Sequence, residues 1–123
     1  MSYTISLAPS GDYIVVTVEG RLTAKIAAKY TAEAHRKAAE TGVNCFLIDV
    51  RQAVNVETAV SNYDYAYREM PKLKLDPRAR AALLAAPADH SHDFVETVIR
   101  NAGFDVRLFR DESAALRWLL KTS

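Results

Sequence analysis

The sequence predicts an α/β domain in which the elements follow the order β-β-α-β-α-β-α-β-α. Three observations lead to this prediction: two amino-terminal segments with strand-like apolar spacing, three later apolar segments, and an amphipathic stretch after each of the last four strands. Such alternation is typical of a mostly parallel mixed sheet with covering helices and right-handed crossovers. The 123 residues, 1–123, suit a single domain with one core.

The first two predicted strands form a hairpin. Residues 3–7 alternate between apolar and polar side chains, which is the period of a half-buried strand. Residues 9–12 read Pro-Ser-Gly-Asp and predict a turn. Residues 13–19 are β-branched and apolar, so we expect them to pair with the first strand.

The first helix and the central strand have clear boundaries in the sequence. Thr23 is a candidate N-cap, and Gly42 suits a left-handed helix end. Residues 43–50 are nearly all apolar, as expected of a central strand covered on both faces. That strand is predicted to stop after Asp49 and Val50, with a polar loop following it.

The second predicted helix opens at Glu57 and Thr58. Pro71 is predicted to limit it, because the residue before proline is disfavoured in helical geometry. Tyr65 is placed on a different face from the core. The stripe expected to form the core-facing side consists of Val56, Val60, Tyr63, Tyr67 and Met70.

The remaining elements are shorter. Residues 79–86 form a third covered strand, and residues 94–102 a helix with Ser91 as candidate cap and Gly103 as its end. Residues 106–109 form the last strand, and Asp111 is expected to cap the final helix.

Composition excludes several classes of function. The net charge is +1 and basic residues alternate with acidic ones, which argues against nucleic-acid or anionic-membrane binding. The single cysteine, Cys45, allows no intrachain disulfide. No apolar segment is long enough to insert into a bilayer and no secretory signal pattern opens the chain, so a cytoplasmic location is expected.

The element order, the Gly-x-Leu-Thr start of the first helix and an apolar strand ending in Asp49 resemble the STAS-like, SpoIIAA-like fold. Anti-sigma-factor antagonists are its best-known members. Residues 103–119 resemble the ending of an uncharacterised bacterial branch of that superfamily, and the likeness covers essentially the whole chain. The resemblance implies a non-enzymatic domain that binds a protein partner, with a homodimer expected by fold analogy.

The same resemblance suggests where a partner is bound. In the antagonists, the strand-end acid is followed by an Asp-Ser-Ser/Thr-Gly motif in which a partner kinase phosphorylates a hydroxyl. Asp49 matches the acid, Glu57 falls on the motif's Asp, and Thr58 falls on its first hydroxyl position. Ala59 and Val60 replace the second hydroxyl and the glycine.

Two interpretations remain open for these residues. Thr58, or Ser61 nearby, is a regulatory hydroxyl whose phosphate would meet a helix N-terminus, or Thr58 is a plain N-cap with Glu57 as a neighbouring charge. Arg51 either binds an anion at the carboxyl edge of the sheet or pairs with Asp49 or Glu57.

The alternative function is a small-ligand carrier or sensor for a lipid or a carboxylate. Its pocket would lie between the tyrosine-bearing helix and the sheet edge. Arg51 would hold the acidic headgroup, and the walls would include Tyr63, Tyr65 and Tyr67.

A third hypothesis is a metal-dependent enzyme that uses His90, His92 and Asp93. Imidazoles and carboxylates suit divalent ions, and Asp89 adds a fourth such group. A loop of this composition is also an ordinary capping sequence, and no remote ligand accompanies it. Because the sequence has no phosphate loop, nucleophile elbow or paired-cysteine motif, we predict a protein that is not an enzyme and has no metal or cofactor.

Overall fold

The computed structural model describes residues 3–73 and 75–121. Within them, five strands form one sheet in chain order. The strands β1 and β2 pair antiparallel, and each later neighbour is parallel, so the predicted mostly parallel mixed sheet is confirmed. The strands are β1 (Tyr3–Leu7), β2 (Ile14–Leu22), β3 (Cys45–Asn55), β4 (Arg80–Leu84) and β5 (Asp105–Phe109).

The helices complete the predicted order. A π-helical turn, Tyr65–Glu69, joins α2 to α3, so residues 59–72 form one continuous helix, the tyrosine helix. None of the helices in the described part of the chain is both long and apolar enough to cross a membrane. The helices are α1 (Ala24–Thr41), α2 (Ala59–Asp64), α3 (Met70–Lys72), α4 (Asp93–Asn101) and α5 (Glu112–Leu119).

The handedness of the crossovers decides which face each helix covers. Parallel strands that follow chain order, joined by crossovers of one hand, place their connecting helices on the same face. α1, the tyrosine helix and α4 accordingly pack on the face that carries Ile48 and Leu83. α5 follows the last strand and makes no crossover, and it covers the opposite face with Leu47 and Leu84.

Three predicted helix ends are confirmed. Thr23 Oγ1 accepts the N–H of Ile26 at 3.3 Å, and Asp111 caps α5. Gly42 ends α1 with a φ of 76°, which a residue without Cβ adopts easily. Ser91 is not the cap of α4, because its hydroxyl accepts the N–H of Asn55 instead.

The central strand is longer than the sequence predicts. β3 continues to Asn55, so Asp49 lies inside the strand and the loop expected after Val50 does not exist. Asp49 is level with Leu84, the last residue of β4, and β3 then continues beside β2 alone after a register shift. The prediction was wrong because this overhang is half-solvated, so its polar residues resemble a loop.

The core-facing side of the tyrosine helix is also different from the prediction. Val60 is 78% exposed and Tyr67 40% exposed, whereas Tyr65 is only 5% exposed. The buried stripe is therefore Asn62, Tyr65, Ala66 and Met70. Helical periodicity identifies an amphipathic segment, but tyrosines two residues apart point to different sides, and only packing against the sheet chooses between them.

Pro71 does not end this helix. Met70 has helical φ and ψ of −59° and −43°, and the helix continues to Lys72. In an α-helix the proline ring crowds the carbonyl one turn earlier and leaves it without its bond. The wider π turn directly before Pro71, in which the Met70 N–H reaches the Tyr65 carbonyl, replaces α-helical geometry there.

Substitution of the tyrosine helix distinguishes the observed face from the predicted one. We expect Tyr65→Ala to lower the free energy of unfolding by about 3 kcal/mol, because it removes a buried aromatic ring. Val60→Ala should change it by less than about 0.5 kcal/mol, since that side chain is in solvent. Urea denaturation of both variants measures the difference, and a larger loss for Val60→Ala would contradict the observed orientation.

Candidate functional site

The start of the tyrosine helix has the hydroxyl arrangement of a helix cap. Thr58 Oγ1 accepts the N–H of Ser61 at 3.1 Å and donates to Ser61 Oγ at 3.2 Å. Thr58 is exposed and Ser61 half-buried, so both hydroxyls remain near solvent. The capping interpretation of Thr58 describes the geometry seen, and the regulatory interpretation stays a prediction.

Glu57 has a role that sequence reasoning missed. Its Oε2 atom accepts the N–H of Ala24, the first residue of α1, at 2.8 Å. Its own N–H donates to Asn55 Oδ1, and Asn55 in turn donates to Asn62 Oδ1. A carboxylate at a helix start also interacts favourably with the helix dipole. Glu57 therefore links the starts of α1 and the tyrosine helix.

Arg51 and Asp49 form an ion pair on the α5 face of the sheet. Arg51 Nη2 donates to Asp49 Oδ2 at 2.7 Å, and Arg51 Nε donates to Asp49 Oδ1 at 3.0 Å. The same Nη2 atom lies 3.7 Å from Oε1 of Glu112 on α5. Partial burial disfavours the charged form of Asp49, but the hydrogen bonds from Arg51 outweigh it and lower the pKa of that carboxyl. The pair is thus apart from Glu57, Thr58 and Ser61, which lie at the start of the tyrosine helix.

Side chains of the loop before α4 hydrogen-bond to the backbone of β3 where that strand extends beyond β4. His92 is 1% exposed, and its Nε2 lies 3.1 Å from the carbonyl of Ala53. Because a carbonyl only accepts, that nitrogen carries the hydrogen. Together with the Ser91 contact to Asn55, this side chain replaces β4 as the partner of the overhanging strand. A buried backbone group needs such a partner.

The metal-like residues are engaged with one another or with the backbone. His90 is exposed and lies 2.9 Å from Asp93, which also receives a hydrogen bond of 2.8 Å from Arg110. These two partners lower the pKa of Asp93. Across residues 3–73 and 75–121, no group of three His, Cys, Asp or Glu side chains is arranged to hold a metal ion.

A cavity of about 290 Å³ lies between the helices and the sheet. α1 and the tyrosine helix form its walls together with α4, and the sheet forms its floor with residues such as Ile48 and Leu83. Exposed Pro77 and Asp105 are among its lining residues, so it reaches the surface. Its size and mainly apolar lining are those of a small-molecule site.

The tyrosines take different positions relative to this cavity. Tyr65 lines it, and its hydroxyl lies 3.2 Å from Thr31 Oγ1. Burial raises the pKa of Tyr65 to about 12, against a lowering by the Thr31 hydrogen bond. Burial, and then the proximity of Tyr65, raise the pKa of Tyr30, which also lines the cavity. Tyr67 does not line it, and the side chain of Tyr63 is outside the described residues.

Arg51 is not part of this cavity. Successive strand residues point to opposite faces, and the pairing of Arg51 with Asp49 and Glu112 places it on the α5 side. The prediction that Arg51 and Tyr65 share one pocket was therefore wrong, because the two residues lie on opposite faces of the sheet. Thr31 was not singled out, because a threonine on a helix carries no signal of what faces it.

Several exposed apolar side chains lie at the carboxyl edge of the sheet, and we call the three of them that follow β3 or begin α2 and α4 the edge patch: Val56, Val60 and Phe94. Their exposed fractions are 36%, 78% and 47%. Val60 and Phe94 belong to the first turns of α2 and α4, which pack together, and Val56 follows directly after β3. Exposed apolar side chains at one edge of the sheet make that edge a candidate interaction surface.

No protein-family model and no curated protein matches the chain. Solved structures that are similar to it include the following two. An uncharacterised DUF3478-family protein with a SpoIIAA-like fold from Shewanella loihica PV-4 is 20% identical, with 96% of this chain and 92% of that one covered at a TM-score of 0.54. The anti-sigma-factor antagonist SpoIIAA in its unphosphorylated form is 13% identical, with 98% and 100% covered at 0.59. The chain therefore has the SpoIIAA-like fold that its sequence predicts.

The contact of Glu57 with α1 should be measurable as stability. We expect Glu57→Ala to lower the free energy of unfolding by about 1–2 kcal/mol, because the Ala24 N–H loses a charged acceptor. Glu57→Gln keeps an acceptor oxygen and is the matched control, with an expected loss of about half that size. Urea denaturation followed by circular dichroism gives both values, and two variants as stable as wild type would show that the contact contributes nothing.

Proposed function

We propose that this protein is a non-enzymatic domain that binds a protein partner through the carboxyl edge of its sheet. The observation that carries the proposal is the edge patch, since apolar side chains there gain by being covered. One similar structure is that of an anti-sigma-factor antagonist, which supports a role in binding another protein. We expect the protein to act in the bacterial cytoplasm and to form a homodimer.

The hydroxyls of Thr58 and Ser61 are the proposed regulatory positions. Thr58 is the N-cap of the helix that carries Val60, and Ser61 lies in the first turn of that helix. A phosphate on Thr58 would replace an exposed neutral cap by a group with a charge of about −1.5 to −2 beside the edge patch. Burial of that charge under a partner would be unfavourable, so phosphorylation would release the partner.

A double substitution tests the partner surface. We expect Val60→Asp with Phe94→Asp to reduce recovery of co-purifying proteins about ten-fold or more, because it places two charges where the partner covers apolar side chains. Tagged wild type, this variant and Leu7→Asp are purified from the native host and their bound proteins quantified. Leu7 is an exposed apolar residue at the opposite edge of the sheet, so its variant should behave as wild type.

Circular dichroism checks that all three proteins are folded. Partners that bind wild type and Leu7→Asp but not the double variant support the proposal. Equal recovery with all three proteins would show that the edge patch is not the binding surface.

A second candidate function is a small-ligand carrier or sensor, which the cavity beside the tyrosine helix favours. Its volume is about 290 Å³, and its walls are lined by apolar residues that include Leu22, Met70 and Ile99. The apolar lining of such a cavity lacks packing partners unless a ligand fills it. A carrier needs such a space, whereas a domain that acts only through its surface does not.

Filling the cavity tests this second function. Ala34 lines the cavity on α1, and Ala39 is exposed on the same helix outside its lining. Wild type and Ala39→Leu should bind the uncharged dye N-phenyl-1-naphthylamine equally. Ala34→Leu should bind the dye at least about ten-fold more weakly, because the added carbons of its side chain occupy the cavity. Dye fluorescence gives the affinities, and equal binding by all three proteins would place the dye elsewhere.

A further inference from the structure

We propose that the cavity takes an uncharged, mostly apolar molecule whose oxygen accepts a hydrogen bond from the Tyr65–Thr31 hydroxyl pair, and that it rejects carboxylates. This inference rests on the second proposed function and names its ligand class. It replaces the expectation of an acidic headgroup held by Arg51, which lies on the other face of the sheet.

The charges around the cavity argue against an anionic ligand. Among the described residues, no lysine or arginine lines it, while three carboxylates do. Glu57 accepts the Ala24 N–H, and the other two carboxylates, Asp76 and Asp105, pair with arginines outside the lining. A carboxylate moved from water into this space would lose its hydration and meet no positive partner.

The two histidines of the lining already have partners within the protein. His35 stacks on Phe46 with ring centroids 4.2 Å apart, and burial lowers its pKa although nearby Asp76 acts in the opposite direction. Its imidazole is therefore neutral near neutral pH. His92 Nε2 is already engaged, 3.1 Å from the Ala53 carbonyl and 3.4 Å from a carboxylate oxygen of Asp89.

The hydroxyl pair has a donor to spare. Tyr65 and Thr31 carry one hydroxyl hydrogen each, and the contact of 3.2 Å between their oxygens uses only one of them. Neither hydroxyl makes another hydrogen bond within residues 3–73 and 75–121. The raised pKa of Tyr65 keeps its phenol protonated. One hydroxyl hydrogen is thus available to an acceptor oxygen inside a mainly apolar space.

The volume limits the size of the ligand. At about 290 Å³ the cavity is larger than the ~150 Å³ that holds a single aromatic ring in another protein. Two fused rings, or a chain of comparable volume, would fill it, and the additional phenyl ring of the dye would extend into its open end at Pro77 and Asp105. The expected ligand is therefore an alcohol, ketone or ester of this size.

Three compounds with the same ring system test the inference: 2-naphthol, 2-naphthoate and naphthalene. Each displaces N-phenyl-1-naphthylamine from wild-type protein near neutral pH. We expect 2-naphthol to bind about ten-fold or more tightly than 2-naphthoate, because the anion is desolvated without a partner. We expect it to bind about three- to ten-fold more tightly than naphthalene, which is the effect of one additional hydrogen bond.

Removal of the Tyr65 and Thr31 hydroxyls tests whether they donate the hydrogen bond to the ligand oxygen. The double variant Tyr65→Phe, Thr31→Val keeps the shape of the cavity and should bind naphthalene as wild type does, but with no preference for 2-naphthol. If that double variant fails to fold, Tyr65→Phe with Thr31→Ala, which also removes both hydroxyls, makes the same test with the same expected loss of preference.

The outcomes separate the two levels of the argument. If the dye and naphthalene bind but 2-naphthol has no advantage over naphthalene, the proposed ligand class is wrong and the carrier function still stands. The same conclusion follows if 2-naphthoate binds as tightly as 2-naphthol. A preference that survives the double variant also overturns the assignment. Absence of any binding in the cavity overturns both this inference and the carrier function.

Discussion

Three parallel strand pairs in chain order place α1, the tyrosine helix and α4 on one face of the sheet. The shared hand of the crossovers is the constraint behind this arrangement, because an inverted connection would move a helix to the other face. Crossover helices start where their strands end, so their first turns meet at the carboxyl edge. Both the edge patch and the cavity follow from this crowding.

The carboxyl edge is stabilised by polar contacts between elements that are distant in sequence. Glu57 reaches the start of α1, and Ser91 and His92 satisfy the backbone of the overhanging β3. Residues that look functional in the sequence therefore hold the site together. This leaves the exposed apolar side chains of Val60 and Phe94 as the surface proposed for a partner.

The cavity and the edge are connected by the same residues. Asn55, Glu57 and Asn62 line the cavity and also form the hydrogen-bonded chain under the start of the tyrosine helix. A ligand in the cavity would contact residues that position Thr58 and Val60. The two proposed sites, one at the edge and one inside the cavity, therefore share this hydrogen-bonded chain.

The sequence by itself determined the element order, the parallel sheet and most helix ends. These depend on local patterns: alternation in β1, caps at Thr23 and Asp111, and the left-handed end at Gly42. It also identified Thr58 and Ser61 as neighbours at a helix start, because that relation is local.

Only the tertiary structure decided which tyrosine is buried, how far β3 extends and which residues share a pocket. Periodicity identifies an amphipathic helix without specifying its rotation about its axis. Tyr67 was therefore predicted to face the core, whereas Tyr65 is the buried residue. Arg51 was predicted to lie on the wrong face of the sheet. The local sequence does not show which helix will cover the face on which a strand residue lies, and here α5 brings Glu112 next to Arg51. The contacts of Glu57 with Ala24 and of Thr31 with Tyr65 span more than thirty residues, and packing of whole elements alone brings such pairs together.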